Sequence, residues 1–318
     1  MRLILAPLQD VTGYLFRNVW QRYFEGLDEG VTPFLPAVTG LKVRRCHLRD
    51  VLPEHQDGMM TLVPQLMGSE AEAILRTTEA IAGLGYREVN LNMGCPSATV
   101  TKKRRGCGLL PFPDMVDRLL DHVMPHLALP LSVKIRLGMH SKDEVWPIIK
   151  VFNNYPLHRI IVHPRLGVQQ YDGEPDHQAF AQMMQATQHH LVYNGDINTL
   201  EYFKGLQHRF AGVDDWMLGR GVLMNPFLPG MIKGASMVSP QEAKHHLFSF
   251  QQELMGAYGE AGLRPERIAA KTKEYWFYFS HWFKEQETIW YRISRSTKPQ
   301  EIKTAISEAF KNDLALFD

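Results

Sequence analysis

The 318-residue chain has little cysteine, almost no net charge and no long apolar run, and each shortage removes a class of protein. Three cysteines, Cys46, Cys95 and Cys107, are too few and too irregularly spaced for a disulfide framework or a CxxC-type zinc site. No metal centre is therefore expected, and a reducing, cytoplasmic setting is. Lysine and arginine number 35 against 34 acidic residues, so no global field attracts a polyanion and any such surface must be local. No apolar stretch approaches the roughly 18 residues of a membrane span. Residues 1–5 run straight into Pro7 without the apolar region of a signal peptide, so the N-terminus reads as a first strand. There is no repeat of fixed period and no low-complexity segment.

What the chain has instead is alternation. Short apolar and β-branched runs at 3–7, 34–38, 61–66, 88–92, 131–136, 159–163, 190–195 and 215–219 are separated by amphipathic segments of helical length, the pattern of a parallel α/β fold. The segment 70–84 carries Ala73, Ile74, Ala80 and Ile81 at helical spacing, and Pro111 and Pro113 punctuate the start of 113–123. Eight such units predict a closed (β/α)8 TIM barrel over residues 1–238. From Ser239 the strand-like runs stop. Ser239-Pro240-Gln241-Glu242 reads as a helix N-cap followed by proline at the first helical position. Helices predicted over 240–258, 266–284 and 298–310, separated by Gly259, Gly262, Pro265 and Pro299, make a small C-terminal helical-bundle domain over 239–318.

Polar and glycine residues stand at the C-terminal end of nearly every run. In order they are Pro7-Leu8-Gln9-Asp10, Gln65, Asn92-Met93-Gly94-Cys95-Pro96, Lys134-Ile135-Arg136, His163-Pro164-Arg165, Asn194-Gly195-Asp196 and Gly219-Arg220-Gly221. That end of a barrel is where barrel enzymes build their sites. Turn chemistry explains any one of these groups; seven on one rim point to a site.

Cys95 lies in a tight turn after the fourth run, and a thiol that keeps its proton near neutrality can donate it or, once ionised, act as a nucleophile. An inert buried cysteine is the plain alternative, and it suits Cys46. Lys134 and Arg136 point to one side of the fifth run, opposite Ile135. A lysine lining a barrel is costly unless it meets an anion, forms a Schiff base or joins a structural ion pair. His163 could hydrogen-bond a planar heterocycle or simply pack. The glycines after the seventh and eighth runs let backbone N–H groups approach a phosphate, so a phosphorylated cofactor or substrate is expected there.

Local positive charge gathers twice. Lys42, Arg44, Arg45, His47 and Arg49 form one group; Lys102, Lys103, Arg104 and Arg105, just before Gly106-Cys107-Gly108, form another. The second reads as a mobile basic loop beside Cys95, able to meet phosphates, with a solvated face as the bland alternative. The segment 266–284 mixes Arg267, Lys271 and Lys273 with Tyr275, Trp276, Phe277, Tyr278, Phe279, Trp282 and Phe283. Much of that aromatic mass must be core, and part could stack on bases.

Taken together and in this order, the motifs resemble the tRNA-dihydrouridine synthases, flavoproteins with an FMN-binding barrel and a C-terminal helical domain. The carriers are Ala6-Pro7-Leu8 with Asp10 and Thr12, 65–68, Asn92-Met93-Gly94-Cys95-Pro96, 106–110, 134–138, His163-Pro164-Arg165 with Gln170-Tyr171, Asn194-Gly195-Asp196 and Gly219-Arg220-Gly221. They span essentially the whole chain. The resemblance implies that Pro7, Leu8, Gln9, Gln65, Lys134, His163, Asn194, Gly195, Asp196, Gly219 and Arg220 surround FMN, that Cys95 is the catalytic acid, and that NADPH is the reductant. The substrate implied is a uridine in tRNA. Residues expected to meet the RNA are Asn92, Lys102, Lys103, Arg104, Arg105, Arg136, Arg165 and Lys273, with 239–318 as an RNA-binding domain of a monomeric enzyme. The chain departs from the family pattern at Asn90, where aspartate is usual, in the basic stretch before Gly106, and at Asp176-His177, where Asp-Trp is common. Two rivals remain. One is an FMN barrel acting on a free pyrimidine such as dihydroorotate, against which the helical region and basic segments weigh. The other is an RNA-binding protein without turnover, against which Cys95 and Lys134 weigh.

Overall fold

The computed structural model describes residues 1–40, 42–58, 60–236 and 238–315. Its strands are β1 (Arg2–Leu5), β2 (Glu29–Val31), β3 (Leu35–Pro36), β4 (Thr61–Val63), β5 (Gln65–Met67), β6 (Val89–Met93), β7 (Leu131–Gly138), β8 (Ile160–Leu166), β9 (Leu191–Tyr193) and β10 (Asp215–Leu218). All pairings are parallel, in the order β3-β5-β6-β7-β8-β9-β10-β1-β2-β4. The segments β4 and β5 are halves of one barrel strand interrupted at Pro64, which has no N–H to donate. The first half pairs with β2, and the second with β3 and β6, so the ring of strands closes. The result is the eight-stranded TIM barrel that the runs predict.

The second barrel strand starts earlier than the predicted 34–38. Its first half, β2, holds a glutamate and a glycine and carries no apolar signature. Glu29 is buried there because Arg159 donates to it at 2.5 Å and to Glu88 at 3.0 Å. This ion cluster, with Arg2, His190 and Asp215 joined in a second one, lies at the N-terminal ends of the strands.

Between and after the strands run α1 (Tyr14–Tyr23), α2 (Ala71–Ala82), α3 (Ala98–Thr101), α4 (Pro113–Val123), α5 (Val145–Phe152), α6 (His177–Ala186), α7 (Leu200–Arg209), α8 (Arg220–Met224) and α9 (Leu228–Ile232). Helix α4 shows the usual logic: proline in its first turn, then Val116, Leu119, Leu120 and Val123 on one buried face. The chain then turns wholly helical in α10 (Pro240–Glu260), α11 (Pro265–Phe279), α12 (Gln286–Arg295) and α13 (Pro299–Ala309). Ser239 and Glu242 cap α10 reciprocally. The helix predicted over 266–284 ends at Phe279, and α12, which buries Ile289 and Ile293 at a spacing of four, has no counterpart in the sequence reading. The expected helical portion extends to residue 318, and 316–318 lie outside the described residues.

These helices share the barrel's main hydrophobic core. Phe250 of α10 and Tyr275 of α11 pack on Phe16 of α1. The Trp282 indole N–H donates to the Leu223 carbonyl at 2.9 Å, and the Tyr275 hydroxyl donates to the Val11 carbonyl. Inside the barrel, alternation separates two surfaces. Ile4, Ala6, Val31, Val63, Ile161, Val192 and Met217 form a small apolar cluster of their own. Across β5, β6 and β7 the buried Gln65, Asn90, Asn92 and Ser132 replace it with polar groups. That polar side carries the site.

Candidate active site

Asn92 and Lys134 are register partners on β6 and β7, as are Arg136 and His163 on β7 and β8. Strand pairing therefore sets these four side by side at the C-terminal rim. They open on a cavity of about 280 Å³ whose wall also includes Pro7, Leu8, Gln9, Cys95, Asn194, Gly195, Asp196, Gly219 and Arg220.

The Cys95 turn is built by Asn92. Its side-chain carbonyl accepts the amides of Gly94 at 3.1 Å and Cys95 at 2.9 Å, while its amide nitrogen donates to Gln65 Oε1 at 2.7 Å. Gln65 in turn donates to Asn90 Oδ1 at 2.7 Å and Asn90 to Ser132 Oγ at 2.9 Å. A side-chain ladder three strands wide thus holds the turn, and Asn90, the departure from the family pattern, is its middle rung. Gln65 is fully buried in this ladder and lies off the cavity wall. Arg136 secures the other flank, donating to the Gly94 carbonyl at 3.1 Å and the Leu166 carbonyl at 2.9 Å. Gly94 lets the turn lie close to β7, where a Cβ would approach the backbone at 3.3 Å.

Lys134 has no carboxylate beside it among the described residues. Burial first, then Arg136, pushes its pKa down to about 7, with Cys95 acting in the opposite direction. His163 is held well below its ordinary value by burial and by Arg136, Lys134, Arg165 and Arg220 around it. It is therefore neutral. Arg165, which can only donate, lies 3.2 Å from His163 Nε2, so Nε2 accepts and Nδ1 carries the proton. Asp196 is the one carboxylate of the wall. Burial would raise its pKa, but Arg165 and Arg220 outweigh that and keep it ionised. Its backbone is left-handed, with φ of 44°, a conformation that costs energy in a non-glycine residue and clusters at functional sites. Lys134, Arg136 and Arg220 against one carboxylate on the wall, with Arg165 behind it, leave the site electropositive, suited to a ligand with more than one negative charge.

Arg165, expected on the RNA, is instead buried: it is tied to both Asp196 oxygens and to the Gly173 carbonyl. Its side chain supports the wall from behind, because Asp196 gives it a partner that the linear sequence does not show. Lys273 lies in an adjoining cavity that shares Gln9, Val11 and Tyr278 with the catalytic one, and its ammonium donates to the Ser294 carbonyl at 2.9 Å. The basic stretch is the expected loop, a hydrogen-bonded turn that links α3 to Gly106. It follows α3 directly, and the Cys107 amide donates to the Cys95 carbonyl at 3.1 Å. Lys102, Lys103 and Arg104 are exposed on it, Arg104 lies over the Phe112 ring, and Arg105 reaches Glu70 at 3.4 Å. The sequence reading missed Phe34, Ile197 and Asn198 on the cavity wall, and it left the role of Tyr278 undecided. Tyr171, 46% exposed, spans the mouth with Arg220 and Arg136 beside its ring at 4.5 and 5.7 Å.

This arrangement can hold a polyanionic, planar ligand and present one thiol to whatever lies on it. The family model described as Dihydrouridine synthase (Dus) matches residues 4–314. The chain belongs to that family. It is accordingly an enzyme, an oxidoreductase. Among curated relatives of this dihydrouridine synthase family member, tRNA-dihydrouridine synthase B of Pasteurella multocida is 27% identical over 279 residues, covering 84% of this chain and 81% of the relative. The tRNA-dihydrouridine(16) synthase of Aquipseudomonas alcaligenes is 28% identical over 246 residues, covering 73% and 75%. Among solved structures, a 2-naphthoyl-CoA reductase complex matches with a TM-score of 0.55 at 10% identity, over 74% of this chain and 50% of that one. The old yellow enzyme from Trypanosoma cruzi matches with 0.50 at 12% identity, over 75% and 90%. At such identities these two show the barrel fold alone.

Proposed function

We propose that the protein is a tRNA-dihydrouridine synthase that uses FMN and NADPH to saturate the C5–C6 bond of a uridine, with Cys95 as the proton donor. The observation that carries this reading is the juxtaposition in one electropositive rim cavity of the Cys95 thiol and a Lys134 ammonium without a carboxylate partner. A half-buried cation left unpaired by the protein calls for an anion from outside, and the residues present fit FMN. The loops at Asn194, Gly195 and Asp196 and at Gly219 and Arg220 would hold its phosphate end, and Lys134 and His163 its ring. Pro7, Leu8 and Gln9 would close the near side, with Gln65 acting through Asn92.

The chemistry that FMN would supply there, once reduced by NADPH, is a hydride for C6 of the uracil. Cys95 delivers the proton to C5, so one hydride and one proton add across the double bond. Asn92 and Arg136 keep the thiol aimed by fixing the turn on both flanks. Lys134 offers positive charge where negative charge develops, which lowers the barrel's cost of holding it. The Nδ1–H of neutral His163 donates a hydrogen bond. Uracil must leave its stack to enter the cavity. Lys102, Lys103, Arg104 and Arg105 beside the Cys95 turn would meet phosphates around it, Arg136 the uracil itself, and the helices from 239 onward the body of the RNA. No helix among the described residues is long and apolar enough to cross a membrane, and we place the enzyme in the cytoplasm as a monomer.

The test is the visible spectrum of the purified protein, followed by NADPH-dependent dihydrouridine formation on tRNA lacking that modification. A flavin spectrum with RNA turnover supports the proposal. Flavin without RNA turnover, or turnover of a free pyrimidine such as dihydroorotate, moves the activity to another substrate. A protein that takes up no FMN on reconstitution overturns the cofactor.

A further inference from the structure

The first basic cluster of the sequence, Lys42 to Arg49, is left without a role by the proposed chemistry. In the structure its last basic residues border two cavities that lead on from the catalytic one, His47 and Arg49 the first and Arg49 the second. The first, of about 440 Å³, shares Gln9 and Phe34 with the catalytic cavity and is walled by Tyr14, His47, Arg49 and Lys271. The second, of about 610 Å³, shares Arg49 and Leu263 with the first and adds Arg264 and Arg267 at the start of α11. The three cavities therefore form one path, from Cys95 past Tyr14 to Arg267.

The charges along this path differ from those on the other flank of α11. There Lys273 is the one cation on the cavity wall and donates to the Ser294 carbonyl, and Glu274 lines the cavity with it, as does Asp10, which also borders the path. The path carries the carboxylates of Asp10, Asp50 and Glu266 as well; Asp50 is engaged by Arg17 at 2.8 Å and by the Tyr14 amide at 2.7 Å, and Lys271 by the Asp10 carbonyl and Glu274. Among the described residues no carboxylate pairs with Arg49, Arg264 or Arg267, all three of them exposed; Arg49 reaches only the Tyr14 hydroxyl, at 3.3 Å. Exposed guanidiniums without acidic partners, spaced along a groove that opens from the site, are the footprint of a phosphodiester backbone.

We propose that the RNA strand carrying the target uridine leaves the catalytic cavity along this path. The nucleoside next to the target enters the cavity beside Tyr14, and the phosphates beyond it meet Arg49, Arg264 and Arg267. The path makes the nucleotide on one side of the target part of what the enzyme recognises.

The inference rests on the tRNA-dihydrouridine synthase reading, and its test separates the two. Arg49→Ala, Arg264→Ala, Arg267→Ala and the triple variant are compared with the wild type as full-length, FMN-loaded proteins. Dihydrouridine formation is measured against unmodified tRNA at several salt concentrations, and anaerobic flavin reduction against NADPH. Each single variant should raise the KM for tRNA about three- to tenfold at unchanged kcat, and the triple variant should lower the slope of log affinity against log salt by about 0.7 per lost phosphate contact. NADPH-driven flavin reduction should keep its wild-type rate and KM. An unchanged tRNA KM and salt slope in the triple variant overturns the inference. So does a raised KM for NADPH with an unaltered KM for tRNA, which would make the groove a dinucleotide site. A wild-type protein that forms no dihydrouridine removes the underlying reading instead.

Discussion

Lys134 sits among cations in the ligand-free protein, and its pKa of about 7 has two measurable consequences. Between about 7 and its ordinary value of 10.5, the unfolded chain binds a proton there that the folded chain does not. The contribution of Lys134 therefore makes stability rise with pH across that window. Lys134→Met should flatten that rise in urea denaturation of the flavin-free protein. Binding an anion favours the charged lysine, so FMN affinity should fall as pH climbs above about 7. The same variant should weaken FMN roughly tenfold to a hundredfold, the worth of a hydrogen bond to a charged group, and lose the pH dependence, which fluorescence titration reads directly. Cys95 calls for a different measurement. Cys95→Ala should slow dihydrouridine formation by about 10²- to 10⁴-fold, the usual contribution of a positioned acid, while flavin reduction by NADPH proceeds at the wild-type rate. Equal loss in both half-reactions would remove the proton-donor role.

Among the elements, the turn from Cys95 through α3 to Leu109 is the one that places the chemistry. The Asn92 ladder holds its start, and close backbone approach holds the rest. A Cβ on Gly106, whose φ is 56°, would lie 2.6 Å from the Cys95 carbonyl oxygen, and one on Gly108 would lie 2.7 Å from that of Thr101. Gly106→Ala should thus cost about 1–3 kcal/mol of stability by overpacking, seen as a lower urea midpoint. It should also reduce dihydrouridine formation beyond that loss, because the displaced group is the Cys95 turn itself. The 42–49 and 102–105 segments look alike as basic runs. Their surroundings make them different: the second is an exposed turn between α3 and Gly106, next to the segment bonded to the Cys95 backbone, and the first opens a path away from the site.

At the scale of the whole molecule, the barrel is closed by charge at one end and carries its site at the other. Arg159 joins Glu29 and Glu88 beneath the apolar cluster, and burial raises the pKa of Glu29 against the pull of Arg159. Arg159→Ala would leave two carboxylates facing each other, and we expect a loss of about 3–5 kcal/mol in chemical denaturation with little change in the KM for tRNA. Asp215 gives the floor its acid sensitivity. Burial alone would raise its pKa, but hydrogen bonds from His190 and Arg2 hold it far below the carboxylate range. Its contribution is fully present above an unfolded pKa of roughly 4 and is lost as pH falls below that.

Much of this was legible in the order of residues along the chain. Short apolar and β-branched runs, nearly every one ending in a polar or glycine residue and separated by helical segments, suffice to specify a barrel and the rim that bears its site, because strand alternation and the direction of parallel strands are local properties. Lys134 could be aimed inward from Ile135 alone. What the order of residues could not reveal depends on partners distant in sequence. Glu29 became part of a strand because Arg159, 130 residues away, neutralises it. Arg165 was withdrawn from the surface by Asp196, and Tyr278 joined the cavity wall because α11 packs across α1 and α8. The sequence by itself determined which chemical groups the rim would carry. Only the tertiary structure decided which of them are free to meet a ligand, since burial and charge pairing are set by what the fold brings within a few ångströms.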